Sequence, residues 1–321
     1  MIKKIVLLFV LVLSTFCIVS CKKDEKVTVG ILVTATHSAL DSAKTGFIEA
    51  LEANGYAGAE FIVRNPEGDS TTMNTMATEL VRKSDIVLGI GTPAAVALQS
   101  ARDAEEVDIT VLFTAVTDPV SAGLMSDVSK PTDITGTNDM NPVAEQVNLI
   151  LELNPNITKL GVLYNVAEPN SLVQAEMVKA QAAKKNIDVV VKTVSEAIEI
   201  SAATTALIQS DNVQAIYLPT DNLIASNMPA VASVCDEFKI PTVCGESGMV
   251  AAGGTITYSI SYKALGYLTG EMAAKILSGT PCSSVPSTSV DASGLEVAIN
   301  EDSISNIGIE VPESIKEKLN K

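Results

Sequence analysis

The sequence predicts an α/β chain of two doubly wound parallel-sheet lobes joined by a multi-strand hinge. Three observations carry this. Apolar strand-like runs alternate with amphipathic helical stretches, so neighbouring strands need crossover helices and pair in parallel. The alternation then occurs a second time at an offset near 131 positions, with Gly30 answering to Gly161 and Ile109 to Ile240. A fixed offset over four strands marks two like domains rather than a solenoid of short repeats. Finally, the residues just past the strand ends are polar in both halves, which is the edge where doubly wound sheets bind ligands.

The first stretch, MIKKIVLLFVLVLSTFCIVSCKKDEK, stands outside that plan. Lys3 and Lys4 precede an apolar run from Ile5 to Val19, shorter than the ~20 residues a membrane-spanning helix needs. This is the layout of a secretory signal peptide, residues 1–20, which is removed and takes no part in the fold. The run ends Ile18-Val19-Ser20-Cys21, which resembles the lipobox of bacterial lipoproteins. That resemblance implies cleavage between Ser20 and Cys21 and a thioether-linked diacylglycerol on Cys21, carrying chains such as palmitate. Acyl chains grip a bilayer by ~0.8 kcal/mol per buried methylene. Residues 21–26 then read as a lipidated, charged tether. The expected location is the extracytoplasmic face of the cell membrane.

Strands follow at 27–33, 59–65, 85–91 and 109–116, separated by helices at 38–56, 69–84 and 93–106. The second series has strands at 158–165, 187–194, 213–221 and 240–246, with helices at 169–186, 195–210 and 224–238. A further strand and a long helix occupy 253–280, and 286–290 and 295–300 read as added edge strands. No element is assigned between 120 and 157. Lobe 1 is expected over 27–139 plus about 256–288, and lobe 2 over 140–255 plus about 289–321. A chain that crosses more than once makes a hinge that permits closure.

Composition narrows the function. Asp and Glu number 38 against 22 Lys and Arg, a formal charge of −16. Such a body repels nucleic acid, whose phosphates attract Lys and Arg. His37 is the single histidine, so no polyhistidine metal site and no metal or cofactor are expected. Ser-His-Asp catalysis needs a base and an orienter within reach of the nucleophile. His37 and Asp41 lie four apart at a helix start, and no Gly-x-Ser-x-Gly elbow occurs, so no catalysis is expected. After removal of the leader Cys235, Cys244 and Cys282 remain, and these read as small buried hydrophobes.

The strand-end loops supply the candidate site. In GIGTPAAVAL, Gly91 ends a strand and Pro93 takes the first helical turn, where its missing N–H is harmless. The backbone N–H groups of Thr92, Ala94 and Ala95, with the Thr92 hydroxyl, either hold an anionic group such as a carboxylate or simply begin a well-capped helix with nothing bound. The glycine spacing fits neither a dinucleotide fingerprint nor a phosphate loop. The second half places Glu168, Asp221 and Glu246 at three strand ends. These read either as helix caps or as partners for an ammonium group; Asp118 reads as a turn or cap residue.

The stretches TATHSALDSAKTGFIEAL, GTPAAVAL, TAVTDPVSAGL, TGTNDMNPV, GVLYNVAEPNS, YLPTDNLIAS, GESGMVAAGG and SYKALGYLTGEMAAKIL resemble, in order, the solute-binding proteins of bacterial ABC transporters, in their tryptophan/tyrosine-type branch. The resemblance implies a type I periplasmic-binding-protein fold and capture of an aromatic amino acid, Trp, Phe or Tyr. It also implies delivery to an ABC permease and its ATPase by a monomeric, membrane-anchored receptor. Carried onto this chain, a carboxylate grip falls on Thr92, Pro93 and Ala94 with Thr114 and Thr117, and Thr36 and Ser38 wall the pocket. Asp221 or Glu246 meets the amine, and Asn165, Glu168 and Asn170 complete the second lobe. Tyr164 and Tyr217 either flank an aromatic ring or belong to the core. The competing readings are a binding protein for a sugar or other organic solute, and a surface sensor or adhesion lipoprotein.

Overall fold

The structure is a computed structural model that describes residues 26–290 and 294–319. The expected signal peptide, Cys21 and the expected tether up to residue 25 lie outside the described residues. The first half runs β1 (Thr28–Val33), α1 (Ser38–Leu51), β2 (Glu60–Arg64), α2 (Ser70–Lys83), β3 (Ile86–Ile90), α3 (Thr92–Glu105), β4 (Thr110–Val116) and β5 (Ile134–Asn138). The second half runs α4 (Val143–Leu153), β6 (Lys159–Asn165), α5 (Pro169–Lys184), β7 (Asp188–Val194), α6 (Ile200–Gln209), β8 (Ala215–Leu218), α7 (Asn222–Ser226), α8 (Met228–Phe238), β9 (Thr242–Cys244), α9 (Ser247–Ala251) and β10 (Ile256–Ile260). The chain closes with α10 (Tyr262–Leu277), β11 (Leu295–Ile299), α11 (Glu301–Ile307) and α12 (Glu313–Leu319).

Two sheets result, ordered β2-β1-β3-β4-β5 and β11-β10-β9-β8-β6-β7. The first is wholly parallel. The second is parallel except for β11, which pairs antiparallel with β10. Without β11 the two orders are the same, so the repeat read from the sequence is a repeat of topology, and β10 is the counterpart of β5. Fully buried strands such as β1 and β3 have apolar side chains on both faces. Val29, Ile31 and Val33 pack under α1 and α10, while Leu32 and Val87 pack under α2 and α3. The second sheet likewise has a core on each face, as helices on both sides of a parallel sheet require.

Two elements, β5 and α4, fall between 120 and 157, where the sequence assigns none. β5 forms because β4 offers it a partner: Gly136 lies so close to the Phe113 carbonyl that no Cβ fits there. The helix read over 224–238 is two pieces, α7 and α8, broken at Asn227. The lobe boundary also differs from the sequence reading. Residues 256–260 belong to the second sheet, because β10 pairs with β9 and β11. The following helix, α10, returns to the first lobe and lies along α1. Of the two expected edge strands, 295–299 forms β11, whereas 286–290 makes a single bridge, Thr288 to Thr137. Pro286 has no N–H to extend that pairing.

The backbone crosses between lobes at Asp139–Pro142 and at Ser261; later in the chain Thr288 still bridges to Thr137 in the first lobe, whereas Leu295 opens β11 in the second. Ile260 N–H donates to Asn141 Oδ1 at 3.1 Å, which ties the crossings at Asp139–Pro142 and Ser261 together. Cys235, Cys244 and Cys282 are free and buried. Burial pushes the Cys244 thiol up to about 12 and the Cys282 thiol up to about 11.

Candidate ligand-binding site

The carboxyl edges of the two sheets face each other, and the lobes are in contact. His37 Nε2 lies 3.2 Å from Asn222 Oδ1. The Thr117 and Thr220 hydroxyls meet at 3.1 Å, and Ser226 donates to the Thr36 carbonyl at 3.2 Å. Between these bridges lies a nearly closed cavity of ≈ 20 Å³, far smaller than the ~300–1,000 Å³ usual for ligand sites, so a solute enters only when the lobes part. The first lobe lines it with His37, Leu40, Thr92, Thr117 and Asp139, and the second with Asn170, Thr220, Asp221, Glu246 and Met249. Tyr262, at the second crossing, completes the wall.

Local sequence explains these positions. Gly91 caps α3 with φ 90°, a left-handed region that favours glycine. A Cβ there would also meet Thr34 Oγ1 at 2.6 Å. Its fold brings Thr92, the first residue of the 14-residue α3, to the cavity wall. Asp139 directly follows β5, and Tyr262 opens α10. The Tyr262 hydroxyl donates to Asp139 Oδ2 at 2.6 Å.

Most of the carboxylates read as site candidates are already engaged. Asp221 Oδ1 accepts from the Ile224 N–H at 2.9 Å, and its Oδ2 accepts from the Asn165 N–H and the Ser171 hydroxyl, each at 2.7 Å. It caps α7 and ties it to the end of β6. Glu246 caps α9, accepting from Met249 N–H at 2.8 Å and from Gly248 N–H. Glu168 accepts from the backbone N–H groups of Asn222 and Leu223 and from both neighbouring Asn amides. Burial raises all of these groups: Glu246 to about 7, Asp221 above its ordinary value, and Glu168 likewise, with the Asp221 charge adding to the push.

Asp139 is different. It is buried, which holds its carboxyl above the usual range against the pull of the Tyr262 and Thr117 hydroxyls, and its Oδ1 has no partner at full hydrogen-bond geometry. Three other buried atoms of the cavity lining share that state: Thr92 Oγ1, Asn170 Oδ1 and His37 Nδ1. Buried polar atoms are nearly always paired. Four unpaired ones in the lining of one cavity mark it as the candidate site. The lining includes Leu40, Ala115, Ala225 and Met249, which supply an apolar half.

Of the residues read from the sequence, Thr92, Thr117, Asn170, Asp221 and Glu246 line this cavity. Thr36, Pro93, Asn165 and Glu168 line an adjoining, more open part of the cleft, and Ser38 lies at its other mouth beside Gly248. Two fall in the interior instead. Ala94 is fully buried, and its N–H reaches Thr34 Oγ1 at 3.3 Å. Thr114 is fully buried and bonded to Thr137 at 3.0 Å. Tyr217 is core, fully buried with its hydroxyl on Gln146 Oε1 at 2.6 Å, and Tyr164 packs in the same core. Sequence reasoning misses Asp139. Its signal is TGTNDMNP (135–142), a polar segment like the other strand-end loops, behind a strand that the sequence does not reveal.

The comparisons agree with this geometry. The family profile described as "ABC transporter substrate binding protein" matches residues 28–321. A tyrosine-binding protein of Clostridioides difficile is 38% identical over 288 residues, covering 88% of this chain and 81% of the relative. An ABC domain from Streptococcus pneumoniae in complex with L-Trp is 34% identical, with a TM-score of 0.85 over 91% of this chain and 98% of that one. The ligand-free, open structure of a substrate-binding protein with adhesive properties from Clostridium difficile is 36% identical. It covers 89% of this chain and 96% of that one but gives a TM-score of only 0.66. At similar identity the chain superposes better on the Trp complex than on the open form, as its bridged lobes require. Two repeated sheets around one polar cavity, the family match and these relatives together establish that the chain belongs to the ABC transporter substrate-binding proteins.

Proposed function

We propose that this protein captures an aromatic amino acid between its lobes and hands it to an ABC importer. The observation that supports this most directly is the set of unpartnered polar atoms around the cavity, above all Asp139 Oδ1. Asp139 is the receptor for the ammonium group, in place of the capped Asp221 and Glu246. The Thr92 hydroxyl and the start of α3 receive the carboxylate, since helix N-termini favour anions. The lining contains no Lys or Arg among the described residues, so the carboxylate relies on neutral donors. Leu40, Met249 and the Tyr262 ring offer apolar surface to an aromatic side chain. A tyrosine-binding relative and a Trp-bound structural neighbour support that solute class.

Closure follows from the geometry. Asp139 and Thr92 belong to one lobe and Asn170 to the other, so a solute contacts all three only when the lobes meet. Differential contact is what shifts an open–closed equilibrium. The permease and ATPase are the partners that read the closed form, with the protein acting as a monomer tethered through Cys21. A thermal-shift panel of amino acids and sugars tests the solute class. At 100 times its dissociation constant a ligand stabilises by ~2.7 kcal/mol. A shift with a sugar, and none with Trp, Tyr or Phe, would refute it. Radiolabelled palmitate incorporation, lost in Cys21→Ser, tests the anchor.

A further inference from the structure

We infer that His37 is held as a neutral imidazole with its proton on Nε2, so that its Nδ1 acts as an acceptor that selects solutes bringing a hydrogen-bond donor to it. This rests on the interlobe amino-acid site proposed above and assigns that site's choice among side chains. The polarity is fixed from the backbone outward. The Thr220 carbonyl can only accept, and it takes Asn170 Nδ2 at 2.7 Å. The Asn170 amide is therefore oriented, with Nδ2 also 3.3 Å from Glu168 Oε2 and Oδ1 left unpartnered.

Glu168 Oε1 accepts from the Asn222 and Leu223 N–H groups at 3.0 and 3.2 Å. Glu168 Oε2 also faces the Asn222 N–H at 3.1 Å and Asn170 Nδ2. We take Glu168 as the carboxylate that these donors favour against the burial that raises its pKa. That carboxylate is an acceptor toward the Asn222 side chain, which approaches Oε2 at 2.6 Å. Asn222 must then use its Nδ2 on Glu168, and its Oδ1 is the atom that crosses the cleft to His37 Nε2 at 3.2 Å. An amide oxygen carries no hydrogen, so Nε2 supplies it. In a neutral ring this leaves a lone pair on Nδ1.

That Nδ1 is buried and unpartnered, in a residue that lines the cavity. Burial also holds the ring's pKa below its ordinary value, despite Asp41 nearby. Residues lining the cavity thus carry unpartnered acceptors at Asp139, Asn170 and His37. An ammonium group serves Asp139, and the His37 acceptor calls for a further donor on the solute. Tyrosine brings a phenol O–H and tryptophan an indole N–H; phenylalanine brings neither. A buried acceptor left without a donor weakens binding by roughly ten- to a hundredfold.

Calorimetric titration of the purified protein with Tyr, Trp and Phe tests this in wild type and His37→Leu. The expected result is at least one of Tyr and Trp binding roughly ten- to a hundredfold tighter than Phe. In the variant that solute loses its advantage because its donor is left unpaired, whereas Phe, no longer facing an unpaired acceptor, binds more tightly than in wild type. Equal affinity for all three in wild type, or an equal loss for all three in the variant, overturns the inference. A second readout does not depend on the variant folding. His37 is the single histidine, so long-range ¹H–¹⁵N spectra of the saturated protein show one imidazole. A bare Nδ1 is expected, and a proton on Nδ1 overturns it. Binding of none of the three removes the solute class proposed above, and the spectrum of the protein alone then decides the His37 tautomer.

Discussion

Tyr262 donates its hydroxyl proton to Asp139 Oδ2 across 2.6 Å, and both residues stand where the chain crosses between lobes. Asp139 follows β5, and Tyr262 comes two residues past β10, its counterpart in the second sheet. One carboxylate oxygen is therefore spent on the hinge, and the other is the one proposed above for the solute's ammonium group. Asp139→Asn keeps the size and a hydrogen-bonding oxygen but removes the charge. Removing one partner of a buried charge pair costs about 2–5 kcal/mol, so amino-acid affinity should fall by at least thirtyfold. Titration calorimetry measures it, with thermal unfolding as the check on folding. Affinity within threefold of wild type would assign the ammonium to another residue.

Acid should act on the protein with two opposite signs. Ammonium binding needs Asp139 ionised, and burial raises its pKa. Affinity is therefore lost as pH falls through that raised pKa, earlier than an ordinary aspartate would dictate. Unliganded stability moves the other way through Glu246, whose ordinary 4.5 is raised to about 7 in the folded chain. The folded state holds this proton more tightly than the unfolded one. Its contribution is therefore most favourable below pH 4.5, declines as pH rises to about 7, and is flat beyond. Urea unfolding should show wild type losing on the order of 2–3 kcal/mol more than Glu246→Gln between those limits. Parallel profiles for the two proteins would contradict this.

The alternation of strands and helices, the duplication and the polar strand-end loops are all legible in the sequence, because burial on both faces leaves continuous apolar runs. Asp139 is not, since ITGTN has few strand-forming residues and β5 forms only against β4. The roles of Asp221 and Glu246 are equally hidden. A carboxylate after a strand end looks the same in sequence whether it caps the next helix or faces a ligand. Only the Ile224, Met249 and Gly248 N–H groups decide it. The polarity of His37 depends on Asn222 and Glu168, residues far along the chain in the other lobe, which no local pattern links to it.

Tyr217 distinguishes core from cavity. It is an aromatic near a strand end, yet its hydroxyl serves Gln146 Oε1, while Gln146 Nε2 reaches the Tyr258 carbonyl at 2.9 Å. Tyr217→Phe leaves that buried oxygen without a donor, which costs about 1–3 kcal/mol. Chemical denaturation should register the loss, while calorimetric affinity for the amino acid stays within about twofold. A large loss of affinity at unchanged stability would place Tyr217 in the site instead.

The long helix α10 gives the sharpest stability test, because glycine there has a reason other than flexibility. A Cβ on Gly266 would strike the Ala43 carbonyl oxygen of α1, and one on Gly46 the Lys263 carbonyl oxygen. A Cβ on Gly270 would come within 2.5 Å of the Phe47 carbonyl oxygen. The two helices touch backbone to backbone, and no rotamer change relieves the clash. Gly to Ala in a helix interior ordinarily stabilises by about 0.5–1 kcal/mol. Gly266→Ala should reverse that sign and destabilise by about 3 kcal/mol or more, lowering Tm by roughly 6–12 °C. Because α10 also carries Tyr262, the partner of Asp139, amino-acid affinity should weaken in the same variant. An unchanged or raised Tm would mean that α1 and α10 are not packed this closely.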